Sequence, residues 1–304
     1  MTSFAVLVPV GPAPTEIARL ADLVDSLVVY EPQVRWVVLI DDAVPGRPLD
    51  QGLRLPPGCQ AVVLPNPRRG RGQGWAGGNC SAVIEGLAWI RQNTDCAFAL
   101  KVDTDTLFIG PFAEQTRRRF AESPDVGMLG SYELDPNGSA RPTSSWNPTL
   151  KTFLSPVALR GKHIQVTLWG DGRHIKEALQ KALSNGYQFG EHCQGGGMAM
   201  SAELLRLLAR EGYLDKPLAW LPTGLTDDIM MGVLTRSVGM KMADFNHAGE
   251  PFGVQHIGLA YAPQDLIDRG YAIIHSIKDH AGRKEEDVRR FFRECRAACC
   301  QSAS

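Results

Sequence analysis

The feature that most constrains this chain is the alternation of apolar runs with helix-periodic segments in its first hundred residues. Phe4 to Val10 is a continuous apolar run, typical of a strand that is buried on both faces of a parallel sheet. Residues 16–30 then carry apolar side chains at helical spacing. The alternation continues with predicted strands in "RWVVLIDDA", at Ala61–Leu64 and at Cys96–Val102, and with a predicted helix over Asn79–Gln92. This order predicts an α/β fold with a Rossmann-like, mainly parallel central sheet flanked by helices.

The second half of the chain has a less regular pattern. It predicts helices at Phe112–Glu122, Arg173–Asn185 and Leu225–Val238, and strands at Val126–Glu133, Met198–Met200 and Tyr271–His275. We also expect a smaller mixed subregion beside the central sheet. A charged amphipathic helix is predicted as a tail over residues 283–304.

Length and composition limit the classes of protein to be considered. The 304 residues fit one large α/β domain or two small ones, and we predict a single domain. A net charge of −1 gives no general basic field, so we expect no nucleic-acid partner. No apolar run approaches the roughly 20 residues of a membrane span, and the first residues lack the basic start of a signal peptide. Seven scattered cysteines without a CxxC pair indicate reduced thiols, and we therefore expect a cytoplasmic protein.

Acidic residues follow two of the predicted strands. Asp41 and Asp42 end the second strand, and Asp103 and Asp105 follow the fourth in the segment "KVDTDTLF". Ligands of parallel sheets bind beyond the carboxyl ends of the strands. Residues i and i+2 of an extended segment point to the same side, and paired carboxylates of this kind suit Mg²⁺ or Mn²⁺. The alternative is a solvated turn, because Asp and Thr are common turn residues.

The segment "ALKVDTDTLF" resembles the DxD motif of the GT-A glycosyltransferases, with family-2-like and fringe-like members the most similar. In that family the motif binds a divalent ion that bridges the diphosphate of a nucleotide-sugar. The resemblance implies a GT-A fold, with Asp103 and Asp105 as metal ligands and Asp103 also near the nucleotide. It further implies a nucleotide-binding half over residues 1–110 and an acceptor and catalytic half over residues 111–282, where the mixed subregion would lie on the acceptor side.

Three later segments resemble further parts of the same family, in the same order. "QGGGMAMS" is similar to the Gly-rich stretch that faces donor and acceptor, which implies roles for Gly195, Gly196 and Gly197. "IIHSIKDH" implies His275 as a third metal ligand, with His256 as a competing candidate, and Lys278 as a contact of the diphosphate.

Between these two segments in the chain, "LTDDIMMG" is similar to the acidic motif at a helix start, where a carboxylate removes a proton from the acceptor. Asp228 is the preferred base and Asp227 the second candidate. The alternative for either residue is a helix cap.

The remaining predicted contacts concern the nucleoside. The resemblance implies that the end of the first strand, Pro9 and Val10, and the acidic end of the second strand, Asp41 and Asp42, face the base and ribose. It also implies that Asn79, which opens the helix before the DxD strand, lies near the diphosphate. Lys101 shares a face with Asp103 by alternation, so we expect it near the nucleotide. For Lys101 a paired strand lysine is the alternative, and for the aspartates a strand-end turn.

Taken together, the ordered motifs predict a metal-dependent glycosyltransferase. It would transfer a sugar from a nucleotide-sugar, a UDP-sugar by resemblance, to an acceptor hydroxyl, with Mn²⁺ or Mg²⁺ and with inversion of the anomeric centre. One alternative is a nucleotidyltransferase that makes an NDP-sugar, although "VPVGPAPTEI" is a poor version of the phosphate loop such an enzyme needs after its first strand. The other is a binding module for nucleotide-sugars without catalysis.

Overall fold

The computed structural model describes residues 3–160 and 163–302, with only the backbone described at 158–160, 163–166 and 299–302. Its strands are β1 (Phe4–Val10), β2 (Trp36–Asp41), β3 (Gln60–Pro65), β4 (Phe98–Val102), β5 (Leu107–Phe108), β6 (Val126–Gly130), β7 (Val157–Arg160), β8 (His163–Val166), β9 (Gly197–Ser201), β10 (Lys241–Asp244), β11 (Phe252–Val254) and β12 (Ile273–His275). Its α-helices are α1 (Thr15–Tyr30), α2 (Asn79–Asn93), α3 (Ala113–Glu122), α4 (Asn147–Thr152), α5 (Gly170–Ser184), α6 (Ala202–Arg210), α7 (Asp227–Ser237), α8 (Pro263–Asp268) and α9 (Glu285–Ser302).

The central sheet has seven strands in the order β3-β2-β1-β4-β9-β6-β10. All are parallel except β9, which runs antiparallel to both β4 and β6. In this register Val10 lies beside Asp41, and Val102 lies beside Gly197. The carboxyl ends of β1, β2 and β4 and the amino end of β9 therefore meet at one edge of the sheet.

Helices cover both faces of this sheet, which is why the inner strand β1 is apolar along its whole length. Every residue of β1 is buried. One apolar cluster joins the sheet to α1 and the start of α3, and another joins it to α2, α5, α6 and α7. Burying a side chain of the size of Leu or Val stabilises a fold by about 1.5–3 kcal/mol relative to exposure. These two clusters fix the sheet and therefore the position of its carboxyl edge.

A second, three-stranded sheet has the order β11-β12-β5 and stands beside this edge. β12 is parallel to β11 and antiparallel to β5, with Ile274 opposite Leu107. Since β5 directly follows the acidic segment after β4, this pairing brings the end of β12 to that segment. β7 and β8 form a separate antiparallel hairpin.

The predicted α/β architecture with a mainly parallel sheet is confirmed, and a small mixed sheet is present as expected. The prediction of a strand as far as Glu133 is wrong, because β6 ends at Gly130. There the Asp244 carboxylate accepts hydrogen bonds from the backbone N–H groups of Tyr132 (2.6 Å) and Glu133 (3.2 Å), which replaces ladder pairing with a turn. Ser201 caps α6 as its position predicts, accepting a bond from the Leu204 amide.

The predicted C-terminal tail contains α9, which is held against α1 by ion pairs. Arg289 contacts Asp22 at 2.9 Å, and Arg19 contacts Glu285 at 2.5 Å. Residues 303–304 and the side chains of Cys299 and Cys300, which belong to the predicted Cys-rich end, lie outside the described residues. In the described part of the chain, no helix combines the length and the apolar character that crossing a bilayer requires.

Candidate active site

Asp103, Asp105 and His275 form the cluster that is best suited to a metal ion among the described residues. One ligand atom from each lies within 4.8 Å of the others. His275 Nε2 lies 3.4 Å from Asp105 Oδ2 and 3.7 Å from Asp103 Oδ2. The sequence-predicted triad is thus brought together, whereas the competing candidate His256 is not part of the cluster.

The orientation of the His275 ring supports a ligand role. Its Nδ1 lies 2.8 Å from the Gln255 carbonyl oxygen. A carbonyl can only accept, so Nδ1 donates its proton, and Nε2 is the nitrogen that faces the two carboxylates. A metal-binding histidine commonly has its other nitrogen fixed in this way. Two carboxylates and one imidazole are a donor set that fits Mn²⁺ and, less commonly, Mg²⁺.

Strand pairing and two hydrogen bonds place this cluster. The Ile277 amide donates to the Asp105 carbonyl oxygen at 2.9 Å, and the Ser276 hydroxyl donates to Asp105 Oδ2 at 2.6 Å. Gly196 lies directly against the imidazole, since a Cβ at this position would come within 2.2 Å of the His275 ring. A residue without a side chain is therefore required where the Gly-rich turn passes the cluster.

The charges of the cluster are strongly coupled. Burial raises the pKa of Asp105, but His275, Lys278 and the Ser276 hydroxyl outweigh it and hold this pKa well below its ordinary value. Burial lowers the pKa of His275, whereas Asp105 and Asp103 outweigh this effect and raise it. Lys278 Nζ lies 3.0 Å from Asp105 Oδ2, and its side chain is 53% exposed, so it is free to follow a ligand. Asp105 thus stays ionised at neutral pH, as a metal ligand must.

Lys101 lies behind the cluster and is completely buried. Its ammonium is 2.7 Å from Asp103 Oδ1, 2.7 Å from the Gly195 carbonyl oxygen and 2.7 Å from Asp227 Oδ2. Burial alone would lower its pKa, but Asp103 and Asp227 raise it above the ordinary value. The sequence correctly placed Lys101 on the same face as Asp103. The structure supports the paired strand lysine, because a fully buried ammonium does not reach a nucleotide.

Asp227 and Asp228 begin α7 in different surroundings. Asp227 is buried against Lys101, and burial raises its pKa to about 6. Asp228 accepts hydrogen bonds from the Thr226 hydroxyl and from the Ile229 amide. Burial would raise the pKa of Asp228, but His192, the Thr226 hydroxyl and the Ile229 amide hold it below its ordinary value. Asp228 is the more accessible of the two, because its side chain is 13% exposed, whereas that of Asp227 is 6% exposed and paired with Lys101.

The Gly-rich turn separates the metal cluster from Asp228. A Cβ on Gly195 would lie 3.4 Å from the Asp228 carboxylate, whereas one on Gly196 would meet His275. The Thr106 hydroxyl donates to the Gly196 carbonyl oxygen at 2.8 Å and fixes the turn. The third glycine, Gly197, begins β9. The turn is thus close to both candidate chemical groups at once.

The predicted nucleoside contacts lie along the same edge, but each aspartate of β2 has an arginine partner. Arg47 contacts Asp41 through Nη2 at 2.6 Å and through its own amide at 2.6 Å. Arg68 Nε contacts Asp42 at 2.6 Å, and its Nη2 contacts the second oxygen of the same carboxylate. Both aspartates are therefore neutralised by the protein itself.

Other predicted residues flank these pairs. Pro9 and Val10 end β1, and the Val10 carbonyl oxygen accepts from the Asp42 amide at 3.0 Å. Asn79 is the first residue of α2, next to Gly78, whose carbonyl oxygen is bound by Asn66 at 3.0 Å.

The sequence did not single out the polar residues around Asp228. His192 Nε2 lies 3.6 Å from Asp228 Oδ2 and 2.8 Å from Nη2 of Arg141. The His192 Nδ1 lies 2.7 Å from the Gly190 carbonyl oxygen. Arg141 also donates to the carbonyl oxygens of residues 131, 132 and 192 and to Gln194. The proximity of His192 to the "QGGG" segment was the only available signal.

Comparisons with known proteins add little to this geometry. No family model matches the sequence, and no curated protein matches it. Among solved structures, the chain is similar to the apo structure of the bifunctional glycosyltransferase WbbM, with a TM-score of 0.48 and 9% identity. The match covers 96% of this chain and 49% of that chain, so this chain spans about half the length of WbbM.

Proposed function

We propose that this protein is a metal-dependent glycosyltransferase of the GT-A type that uses a nucleotide-sugar, with a UDP-sugar as the first candidate. The observation that carries the proposal is the convergence of Asp103, Asp105 and His275 at the carboxyl edge of the parallel sheet, with His275 Nε2 facing both carboxylates. The whole chain would form one catalytic domain, with the nucleotide bound by residues 1–110 and the acceptor by residues 111–282.

Each part of the site has a role in this proposal. Asp103, Asp105 and His275 would hold Mn²⁺ or Mg²⁺, which when bound neutralises charge on the leaving diphosphate. Lys278 would contact the same diphosphate, since its ammonium is exposed beside Asp105. The edge that holds Pro9, Val10, Asp41, Asp42 and Asn79 would bind the nucleoside and its phosphates. Lys101 is left out of the donor contacts because it is fully buried.

Asp228 would act as the general base. One of its oxygens takes the proton of the acceptor hydroxyl while that hydroxyl oxygen forms a bond to the anomeric carbon. The bond from the anomeric carbon to the diphosphate oxygen breaks at the same time, and its electron pair leaves with the nucleoside diphosphate. A single displacement of this kind inverts the anomeric centre. The Gly-rich turn at residues 195–197 lies between Asp228 and His275.

A binding panel tests the proposal directly. The native chain is melted with UDP-, GDP- and ADP-sugars, each with Mn²⁺ and with EDTA. A ligand that binds only the native state raises the melting temperature, so a UDP-sugar is expected to raise it with Mn²⁺ and not with EDTA. The responding donor is then incubated with candidate acceptors, and free UDP is measured. Pyrophosphate release from a sugar 1-phosphate and UTP would instead identify a nucleotidyltransferase. Binding without any turnover would identify a binding module.

The stereochemical part has its own measurement. NMR of the freshly formed linkage is expected to show a β product from an α donor. An α product from an α donor would contradict a single displacement by Asp228 and leave the metal-dependent transfer standing.

A further inference from the structure

We propose that Lys101 is a positioning residue that joins the metal-binding carboxylate Asp103 to the acidic start of α7 at Asp227. This inference rests on the proposed function, because it assigns a role within that same site. Lys101 would then be an internal contact and not the predicted nucleotide contact, and we call the bridge Asp103–Lys101–Asp227 the strut. The strut would make the affinity of the metal cluster depend on a residue of α7 that does not touch the metal.

The ammonium group of Lys101 is surrounded by oxygen atoms of the protein. It donates hydrogen bonds to Asp103 Oδ1 and to the Gly195 carbonyl oxygen, both at 2.7 Å, and forms an ion pair with Asp227 Oδ2 at 2.7 Å. Its side chain has 0% exposure. The ammonium therefore does not reach a diphosphate bound at the protein surface.

The position of Lys101 in β4 explains how it reaches both halves of the site. Lys101 lies on the same face of β4 as Ala99, which packs in the apolar cluster with α2, α6 and α7. The aliphatic stem therefore runs through the core toward the start of α7, and the ammonium emerges beneath the sheet edge. β9 pairs with β4 at this point, with Met198 opposite Lys101, so the Gly-rich turn before β9 passes over the ammonium.

The contact with Asp103 orients a metal ligand. Lys101 binds Oδ1, and this leaves Oδ2 facing His275 Nε2 at 3.7 Å. Asp103 is 29% exposed, so without the lysine its carboxylate would be free to turn toward solvent. Fixing one oxygen by a buried cation presents the other to the metal position at a low entropic cost. Residues that hold a ligand from behind in this way commonly change metal affinity by about 10–100-fold when they are replaced.

The other two contacts act on the base side of the site. Holding the Gly195 carbonyl fixes the turn that lies against Asp228, where a Cβ would come within 3.4 Å of the carboxylate. Holding Asp227 fixes the first residue of α7, next to Asp228 in the chain. Lys101 therefore sets the distance between the metal cluster and the base.

The test compares two substitutions at adjacent positions of α7, each of which replaces a carboxylate with a neutral amide. Asp227→Asn removes a charge that contacts Lys101, and Asp228→Asn removes a charge that does not. Mn²⁺ binding to the full chain is measured by electron paramagnetic resonance of the free ion, without donor and without turnover. We expect Asp227→Asn to raise the Kd for Mn²⁺ by about tenfold, because the ammonium then loses its ion pair with α7 and holds Asp103 less firmly, and Asp228→Asn to raise it less than about threefold.

A second pair of variants tests the lysine itself. Lys101→Met alone leaves two carboxylates without their cation, and we expect weaker Mn²⁺ binding and a lower melting temperature. Lys101→Met combined with Asp227→Asn removes the buried charges together. Its melting temperature is expected to recover relative to Lys101→Met alone, while Mn²⁺ binding stays weak because Asp103 remains unsupported.

The outcomes separate this inference from the proposed function. If the native chain does not bind Mn²⁺, the proposed function itself fails. If the native chain binds Mn²⁺ and Asp227→Asn binds it equally well, the strut is wrong and the function stands. An equal loss in Asp227→Asn and Asp228→Asn would also overturn the strut, because it would reflect only the loss of a nearby charge. If the double variant binds Mn²⁺ as the native chain does but no longer binds UDP in the presence of Mn²⁺, Lys101 is a nucleotide contact after all.

Discussion

Two acidic pairs at the same edge of the sheet have opposite surroundings. Asp41 and Asp42, at the end of β2, are each bound by an arginine of the same half of the chain. Asp103 and Asp105, after β4, face each other across a histidine, and their cationic neighbours are lysines. Both pairs consist of aspartates that follow a buried parallel strand. Their partners, and not their position, distinguish them.

The difference shows which carboxylates are available for a ligand. An arginine that binds both oxygens of a carboxylate satisfies its charge and its geometry, as Arg68 does for Asp42. Asp105 is instead balanced by His275 and by the half-exposed Lys278, which are groups that a cation can replace or displace. The β2 pair thus behaves as a structural anchor, and the β4 pair as a site that is ready for a metal.

The largest effect is expected from the pair after β4, Asp103 and Asp105, which we call the open pair because, among the described residues, no arginine binds it. Asp105→Asn replaces a carboxylate that lies 3.4 Å from His275 Nε2 with a neutral amide. We expect kcat/KM for sugar transfer to fall by about 1,000-fold and Mn²⁺ binding to be lost, because the metal then lacks its most buried anionic ligand. Steady-state kinetics and Mn²⁺ titration measure this. Asp215→Asn, on an exposed turn, is the matched control and is expected to leave both unchanged. Native-like Mn²⁺ affinity in Asp105→Asn would remove Asp105 from the metal site.

The next effect concerns stability and is expected from the pair at the end of β2, Asp41 and Asp42, which we call the closed pair because each aspartate is bound by an arginine. Arg68→Met leaves the Asp42 carboxylate without its cation, although both side chains are nearly buried. Removing one partner of a buried pair costs about 3 kcal/mol of unfolding free energy, whereas removing both together costs much less. Urea denaturation of Arg68→Met and of Arg68→Met with Asp42→Asn measures the two. Mn²⁺ affinity is expected to stay native in both variants. A tenfold loss of Mn²⁺ binding would show that the β2 pair belongs to the metal site.

The contrast between the two pairs also marks the limit of the sequence analysis. Apolar strands and helical periodicity predicted the central sheet and placed all four aspartates at its carboxyl edge. The same patterns did not reveal that Arg47 and Arg68 form ion pairs with the two aspartates of the β2 pair, because both arginines lie in loops whose path depends on packing. A loop arginine carries no periodic signal that names its partner.

The position of His275 was predicted by a different kind of reasoning. A lone histidine 170 residues from Asp105 has no local pattern that links the two. Motif order suggested the link, and the antiparallel pairing of β5 with β12 provides the physical reason for it. Conversely, Lys101 was placed on the correct face by alternation, but its burial depends on α7 packing over it, which the sequence alone does not reveal.

A smaller effect is expected from the glycine that separates the two chemical groups. Gly196→Ala places a methyl group within 2.2 Å of the His275 ring, so either the ring or the turn must move. We expect the Kd for Mn²⁺ to rise by about 30-fold, in the range seen when the support of a ligand is lost. Gly46→Ala, where the nearest atom would be 3.8 Å away, is the control and is expected to bind Mn²⁺ normally. If Gly196→Ala also binds it normally, the turn can move without disturbing His275.

The smallest effect concerns Asp227, which is intermediate between the open and the closed pair because it shares its one cation with Asp103. Its pKa is raised to about 6 in the folded chain from an ordinary value of 3.8. A carboxyl group with a raised folded-state pKa stabilises the fold when it is protonated, and this contribution is lost as the pH rises through about 6.

The native chain should therefore gain about 1 kcal/mol of stability relative to Asp227→Asn when the pH falls from 7 to 5. Urea denaturation of both proteins at the two pH values gives this difference. A gain of the opposite sign would mean that Lys101 outweighs burial at Asp227, and Asp227 would then belong with the closed β2 pair.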